Sequence, residues 1–230
     1  MKKNDFLVIG GVILLFLPFF VSSSVFGFYE NFNKMHPMIM SFIKFAVLAT
    51  LGESIGLRIK EGRYNYRGFG LLPRAIVWGF LGLTIQMAFV IFSQGIPVFL
   101  TKILGLDFGI PEEMTFGSKL LIAFCISATM NLIYAPVMMT LHKITDLHII
   151  NNGGTVNGLL QPIKMGEIMS NINWIVQWNF VFKKTIPFFW IPAHTITFML
   201  PPEYRVLFAA ALGIALGVIL SLAAIKGKSK

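Results

Sequence analysis

The side chain with the most chemistry in the least expected place is Glu53, a carboxylate set between Leu51 and Ile55 in an otherwise apolar run. A carboxyl group inside a hydrophobic segment is a functional or a packing commitment, because burying it without partners is costly. Gln86, Asn131, His194 and Thr197 are further polar groups inside apolar runs. Such groups either hydrogen-bond between helices or converge on a shared polar interior through which a solute could pass. Metal chemistry is not expected: the four histidines, at 36, 142, 148 and 194, lack the i, i+4 pairing of a helical zinc site, and Cys125 is the single cysteine. No Gly-x-Ser-x-Gly elbow, Walker loop, zincin helix or pair of catalytic carboxylates is present, so neither an enzyme nor a cofactor is expected.

The elements that must position these residues follow from composition. With 56% hydrophobic and 13% charged residues, 23 Phe and a mean hydropathy of +0.75, the chain has too little polar surface for a water-soluble domain of this size. An all-α, polytopic transmembrane bundle is expected. Six spans are read at 6–28, 37–57, 75–100, 118–141, 186–200 and 204–225, most near the ~20 residues that cross hydrocarbon. The segment 142–185 is the longest stretch between spans, with a turn at Asn151-Asn152-Gly153-Gly154. Its end, Ile172 to Phe180, carries Trp174 and Trp178 before Lys183-Lys184 and reads as an interfacial helix ahead of the fifth span.

With both termini cytoplasmic, the inner segments hold 14 Lys and Arg against 4 outside (Lys34, Lys102, Lys119 and Arg205), which satisfies the positive-inside rule. That asymmetry accounts for the net charge of +9, and no aromatic-interleaved basic stripe suggests nucleic acid. Lys2-Lys3, an apolar run and Ser22-Ser23-Ser24 also fit a secretory leader, but the run is longer than the usual h-region of about 7–15 residues. The expected division is an extra N-terminal span and loop over 1–35, a membrane domain over 36–225 and a basic tail over 226–230. A bacterial cytoplasmic membrane is the expected location, or an organelle membrane, mitochondrial inner or peroxisomal, in a eukaryote.

Helical periodicity then assigns faces. In the second span Ala46, Ala49, Thr50, Glu53 and Gly56 form one stripe, so Glu53 points where another helix can approach. Lys44 falls on another face and is expected to snorkel to the outer interface. The third span carries Gly79, Gly82 and Gln86 on one side and is expected to break at Gly95-Ile96-Pro97. Ser127, Asn131 and Ala135 recur in steps of four, ahead of Pro136, and His194 and Thr197 share a face. Gly52 and the Ala209, Gly213, Gly217, Ser221 seam suit close helix packing, within the chain or between copies in a homo-oligomer.

From His36 to about Ala224 the chain resembles the Mpv-seventeen and twenty-two-kilodalton peroxisomal membrane protein family. The motifs that carry this are His36-Pro37 followed after fourteen residues by Gly52-Glu53, where the family has Gly-Asp, and Asn131 to Pro136, where it has a Gln five residues before a Pro. Asn173-Trp174, Trp190-Ile191-Pro192, Thr197-Phe198, Pro201-Pro202 and Tyr204-Arg205 complete the likeness. Met130 stands where the family has an acid, and Thr84-Ile85 where it has Gly-Pro. The resemblance implies a small multi-span protein of organelle membranes, similar to ones described as pore-forming channels for small solutes. It implies no covalent mechanism.

Two functions are therefore expected. The first is a channel or facilitator for small polar metabolites, lined by Glu53, Gln86, Asn131 and His194, with an ionised Glu53 disfavouring anions or a neutral one donating a hydrogen bond. His194 could gate it by titration. The second is a structural or assembly protein of the bilayer, in which the same groups lock the bundle and Arg205 caps an interface or binds lipid phosphate.

Overall fold

Proline and glycine set most of the helix boundaries. The computed structural model describes residues 3–110 and 113–228, with side chains over 4–110 and 113–219, and among these every regular element is helical. Lys2, Glu112, Ser229 and Lys230, and the side chains of the basic tail, lie outside the described residues. The chain forms two units, Met1–Met40 and Ser41–Lys230. In the first, α1 (Lys3–Val21) is followed by α2 (Ser23–Met35), whose N-cap Ser22 accepts a hydrogen bond from the Val25 amide. The 6–28 run is thus two helices punctuated at Ser22.

Pro37 opens α3 (Pro37–Glu61), where its missing N–H costs nothing, and Gly62 at φ 79° lets the chain leave. Gly70, also left-handed, precedes α4 (Leu71–Val98). Pro97 does not break α4 as expected. The helix absorbs it: the Phe99 amide is shared between the Gly95 and Ile96 carbonyls, and a π-helical turn, Phe99–Ile103, follows. Thr115 caps α5 (Phe116–Asn151), which runs straight through Pro136.

At 36 residues α5 is about 54 Å long, well beyond the ~30 Å of hydrocarbon. Its last turns, with His142, Lys143, Asp146 and His148, were expected to be loop. Buried Ile144 and Ile149 keep them helical, Ile144 packing on Ile168 and Ile172 at the short α7 (Met165–Asn171) after α6 (Val156–Leu159). From 174 the chain is helical without a break to 199: α8 (Trp174–Val176), a π-helical stretch Gln177–Trp190 and α9 (Ile191–Met199). Trp174 and Trp178 are exposed, as an interfacial pair would be. α10 (Pro202–Lys228) closes the bundle.

Five of these helices are long and apolar enough to cross a membrane, and the 174–199 helix ends in the fifth expected span, 186–200. Exposed Phe80, Ile91, Leu132 and Val137 on α4 and α5 form surface that a bilayer covers. The chain is an integral membrane protein.

Glycines bring the helices of the second unit together. A Cβ on Gly82 would lie 2.8 Å from both Phe45 Cβ and the Ser41 carbonyl oxygen of α3, and the Ser41 hydroxyl donates to the Gly82 carbonyl at 2.7 Å. Gly79 lies under the Phe42 ring. Gly52 faces Gly213 and Ile214 of α10, its Cβ position 2.9 Å from the Ile214 Cα, while the Cβ position on Gly217 meets the Gly52 carbonyl at 3.0 Å. The α10 seam is used within the chain. Lys44 does not snorkel outward but is buried among Ser41, Phe45 and Leu48 of its own helix.

Candidate functional site

Glu53 is not alone. Arg74, in the first turn of α4, donates through Nη1 to Glu53 Oε2 at 2.6 Å, and Trp78, one turn later, donates through Nε1 to Oε1 at 2.9 Å. His142 of α5 places Nε2 2.9 Å from the same Oε1, and because a carboxylate only accepts, the geometry suits Nε2–H as the donor. Asp146, one turn beyond His142, pairs with Arg74 and stands 3.8 Å from Lys143 Nζ. The two i, i+4 pairs, Arg74 with Trp78 and His142 with Asp146, put each couple on one helix face. Arg74 is fixed further by its own neighbourhood: Nε donates to the Phe69 carbonyl at 2.7 Å, and the guanidinium lies 4.3 Å from the Phe69 ring centroid. Trp78 is sandwiched between His142, 4.3 Å away centroid to centroid, and Phe45.

The cluster closes one end of a cavity of about 590 Å³ bounded by α3, α4, α5, the 174–199 helix and α10. On α4 the lining residues run from Trp78 to Phe89; on α5 they run from Asp146 back to Met130, with the interval from His142 to Asn131 set opposite that on α4. Either interval of eleven residues rises about 16 Å, so two antiparallel helices carry the cavity between the same two layers. The volume suits a small-molecule site. The walls between are mostly apolar, with Ile85, Met130, Met138 and Leu216 among them.

Of the residues singled out by sequence, Glu53, Asn131 and His194 line this cavity, together with Ala49, Gly52 and Gly56 of the Glu53 stripe and Gly213 and Gly217 of α10. Gln86 does not. The α4 positions that reach the cavity are Trp78, Ile85 and Phe89, and Gln86 lies about 100° further round, on the side where Gly79 and Gly82 meet α3. Thr197 is fully buried but lies outside the lining; its hydroxyl donates to the Ala193 carbonyl at 3.0 Å. Since that uses its one proton, the 3.3 Å contact with His194 Nδ1 suits an Nδ1–H donor. The His194 ring stacks on Trp190 and meets the Phe89 edge. Asn131 donates to the Ser127 carbonyl one turn back on its own helix.

Arg205 spends two of its donors within the chain. It donates to the Leu200 and Phe198 carbonyls at 2.9 and 3.2 Å and lies 5.6 Å from the Phe198 ring centroid, closing the end of α9 at the Pro201-Pro202 break. Phe198 is buried against Phe89, and Pro192 and Pro202 sit in the first turns of their helices, whereas Tyr204 and His36 are exposed.

Arg74, Trp78, His142 and Asp146 are members of the site that sequence reasoning missed. Arg74 and Lys143 read as topological charges and His142 as the start of a loop, because the apolar runs end before them. The i, i+4 spacing that continues past both run ends was the available signal. Gln177 and Trp190 were also missed as lining residues. Gln177 is 6% exposed, with no side-chain hydrogen bond among the described residues, and the buried Trp190 Nε1 likewise has no partner there.

Comparison with models of protein families, with curated proteins and with solved structures returns no match.

Proposed function

We propose that this chain is a membrane facilitator that admits a small solute to the cavity between its helices. The observation that carries this is the cavity itself: about 590 Å³ inside the bundle, with an ordered set of charged side chains at one end and, in its wall, the Gln177 carboxamide without a hydrogen-bond partner among the described residues. A protein built only to fill a bilayer gains nothing from such a void, since close packing is the stronger state. The motifs from His36 to Arg205 that resemble the Mpv-seventeen and twenty-two-kilodalton peroxisomal membrane protein family support the same reading. Glu53 is neutralised by Arg74, so it does not act as an unpaired charge screening solutes by sign, and the mostly apolar walls fit a solute with an apolar body better than a wholly polar metabolite. Read as six spans, the chain has both termini on one side, and the distribution of Lys and Arg supports the cytoplasmic one.

Flux of small solutes into proteoliposomes tests the proposal, comparing wild type with Ala135→Trp, which puts an indole into the cavity. Wild-type flux abolished by the filled variant is the expected result. No flux above protein-free liposomes for wild type rejects transport.

A second reading has its own support. The Glu53, Arg74, His142 and Asp146 network joins three helices and would serve equally as a lock in a non-transporting assembly protein. Equal flux in filled and unfilled proteins would favour that lock.

A further inference from the structure

The cavity is chemically lopsided, and its lopsidedness specifies an occupant. At the charged end Glu53 and Asp146 both engage Arg74, and Asp146 also faces Lys143. Lys60, on the last turn of α3, lines the same end and has no ion pair among the described residues. Three cations against two carboxylates leave this mouth with a positive excess. Beyond it lies about 16 Å of mostly apolar wall. The Gln177 carboxamide also lines the cavity with no hydrogen-bond partner of its own among the described residues, whereas the partnerless Trp190 indole N–H is closed off behind the wall. A polar group left empty in an apolar wall is a cost that an occupant supplying the missing partner removes.

The geometry points to a single-chain anionic amphiphile as the ligand, with its acid head between Lys60 and Lys143 and its hydrocarbon chain along the Met and Phe wall. This rests on the cavity of the transport reading and names its substrate class. An organic cation would meet the positive excess. A short hydrophilic anion would leave the apolar wall uncovered, and an uncharged hydrocarbon would use neither lysine.

The test is binding of radiolabelled dodecanoate to the full chain in lipid nanodiscs, with dodecylamine and butyrate as competitors. Saturable binding is expected, with dodecylamine and butyrate at least about tenfold weaker than unlabelled dodecanoate. Lys60→Gln with Lys143→Gln should weaken binding about tenfold. Met138→Trp, which fills the cavity from another helix face, should abolish binding while the protein stays monodisperse with an unchanged melting temperature. Dodecylamine competing as well as dodecanoate, or binding indifferent to the lysines or to the filled cavity, overturns the proposal, because partition into the bilayer would give that result. Flux of other solutes without dodecanoate binding rejects this ligand and keeps transport; dodecanoate binding without flux keeps the ligand and rejects transport.

Discussion

The two ends of the cavity satisfy their polar groups in opposite ways. At one end Glu53, Arg74, Trp78, His142 and Asp146 bond across α3, α4 and α5, and scarcely a donor in the set is met by its own helix. At the other, Asn131 donates to Ser127 one turn back, Thr197 to Ala193 one turn back, and His194 meets Thr197 on the same helix. Among the described residues the Ser127 hydroxyl crosses there, to the Ile191 carbonyl at 2.7 Å, and between the two ends the Thr84 and Tyr134 hydroxyls meet across α4 and α5 at 2.7 Å. Polar side chains in a bilayer can thus tie helices together or be pacified locally, and the first arrangement holds the bundle while the second leaves it free to enclose space.

The comparison breaks most sharply at Arg74. Arg74→Met leaves two carboxylates with most of their positive neighbourhood gone, and removing one partner of a buried ion pair costs about 3–5 kcal/mol. The expected outcome is a large fall in thermal midpoint in detergent, partly recovered when Glu53→Gln is added. If the single variant loses less than ~1 kcal/mol, the charged end is not the lock.

Next in size is Trp78→Phe, which keeps the ring between Phe45 and His142 and removes only the N–H to Glu53. A hydrogen bond to a charged group is worth about 1.5–3 kcal/mol, so chemical unfolding should register a loss in that range. A change confined to a few tenths would show that His142 and Arg74 suffice for Glu53.

A glycine pair refines the contrast between tied and open regions. Gly52→Ala drives a methyl into the α10 backbone and should cost about 1–3 kcal/mol, whereas Gly213→Ala meets open space and should be neutral or slightly stabilising. Similar losses in both would mean that α10 does not lie against α3 as described.

How much of this the sequence carries differs between the two ends. The spans were legible because apolar runs of bilayer length have no other stable home, and Pro37, Gly62, Gly70 and the Pro201-Pro202 step mark boundaries by backbone chemistry alone. Glu53 was legible because a carboxylate in such a run demands a reason. Its partners were not: Arg74 and Asp146 lie where apolar runs stop, and hydropathy stops reading helices there even though α5 goes on for three more turns. The π-helical stretch Gln177–Trp190 left no signal beyond Pro187, since one extra residue per turn has no side-chain signature. Gln86 misled because a helical stripe fixes a face but not which neighbour occupies it.

The smallest expected effect belongs to the locally satisfied end and is the most discriminating. Asn131→Ala removes a carboxamide whose donor is spent on the Ser127 carbonyl of its own helix, a group that already accepts within the α5 ladder. No partner on another helix loses its bond, so the stability change should stay within about 1 kcal/mol, the net worth of an ordinary hydrogen bond. Because Asn131 lines the cavity, the same variant should still change flux or ligand affinity. Unfolding and transport measured on one preparation therefore separate the two roles: a large stability loss would show that Asn131 ties helices as Arg74 does, while a silent change in both would remove it from the lining that matters.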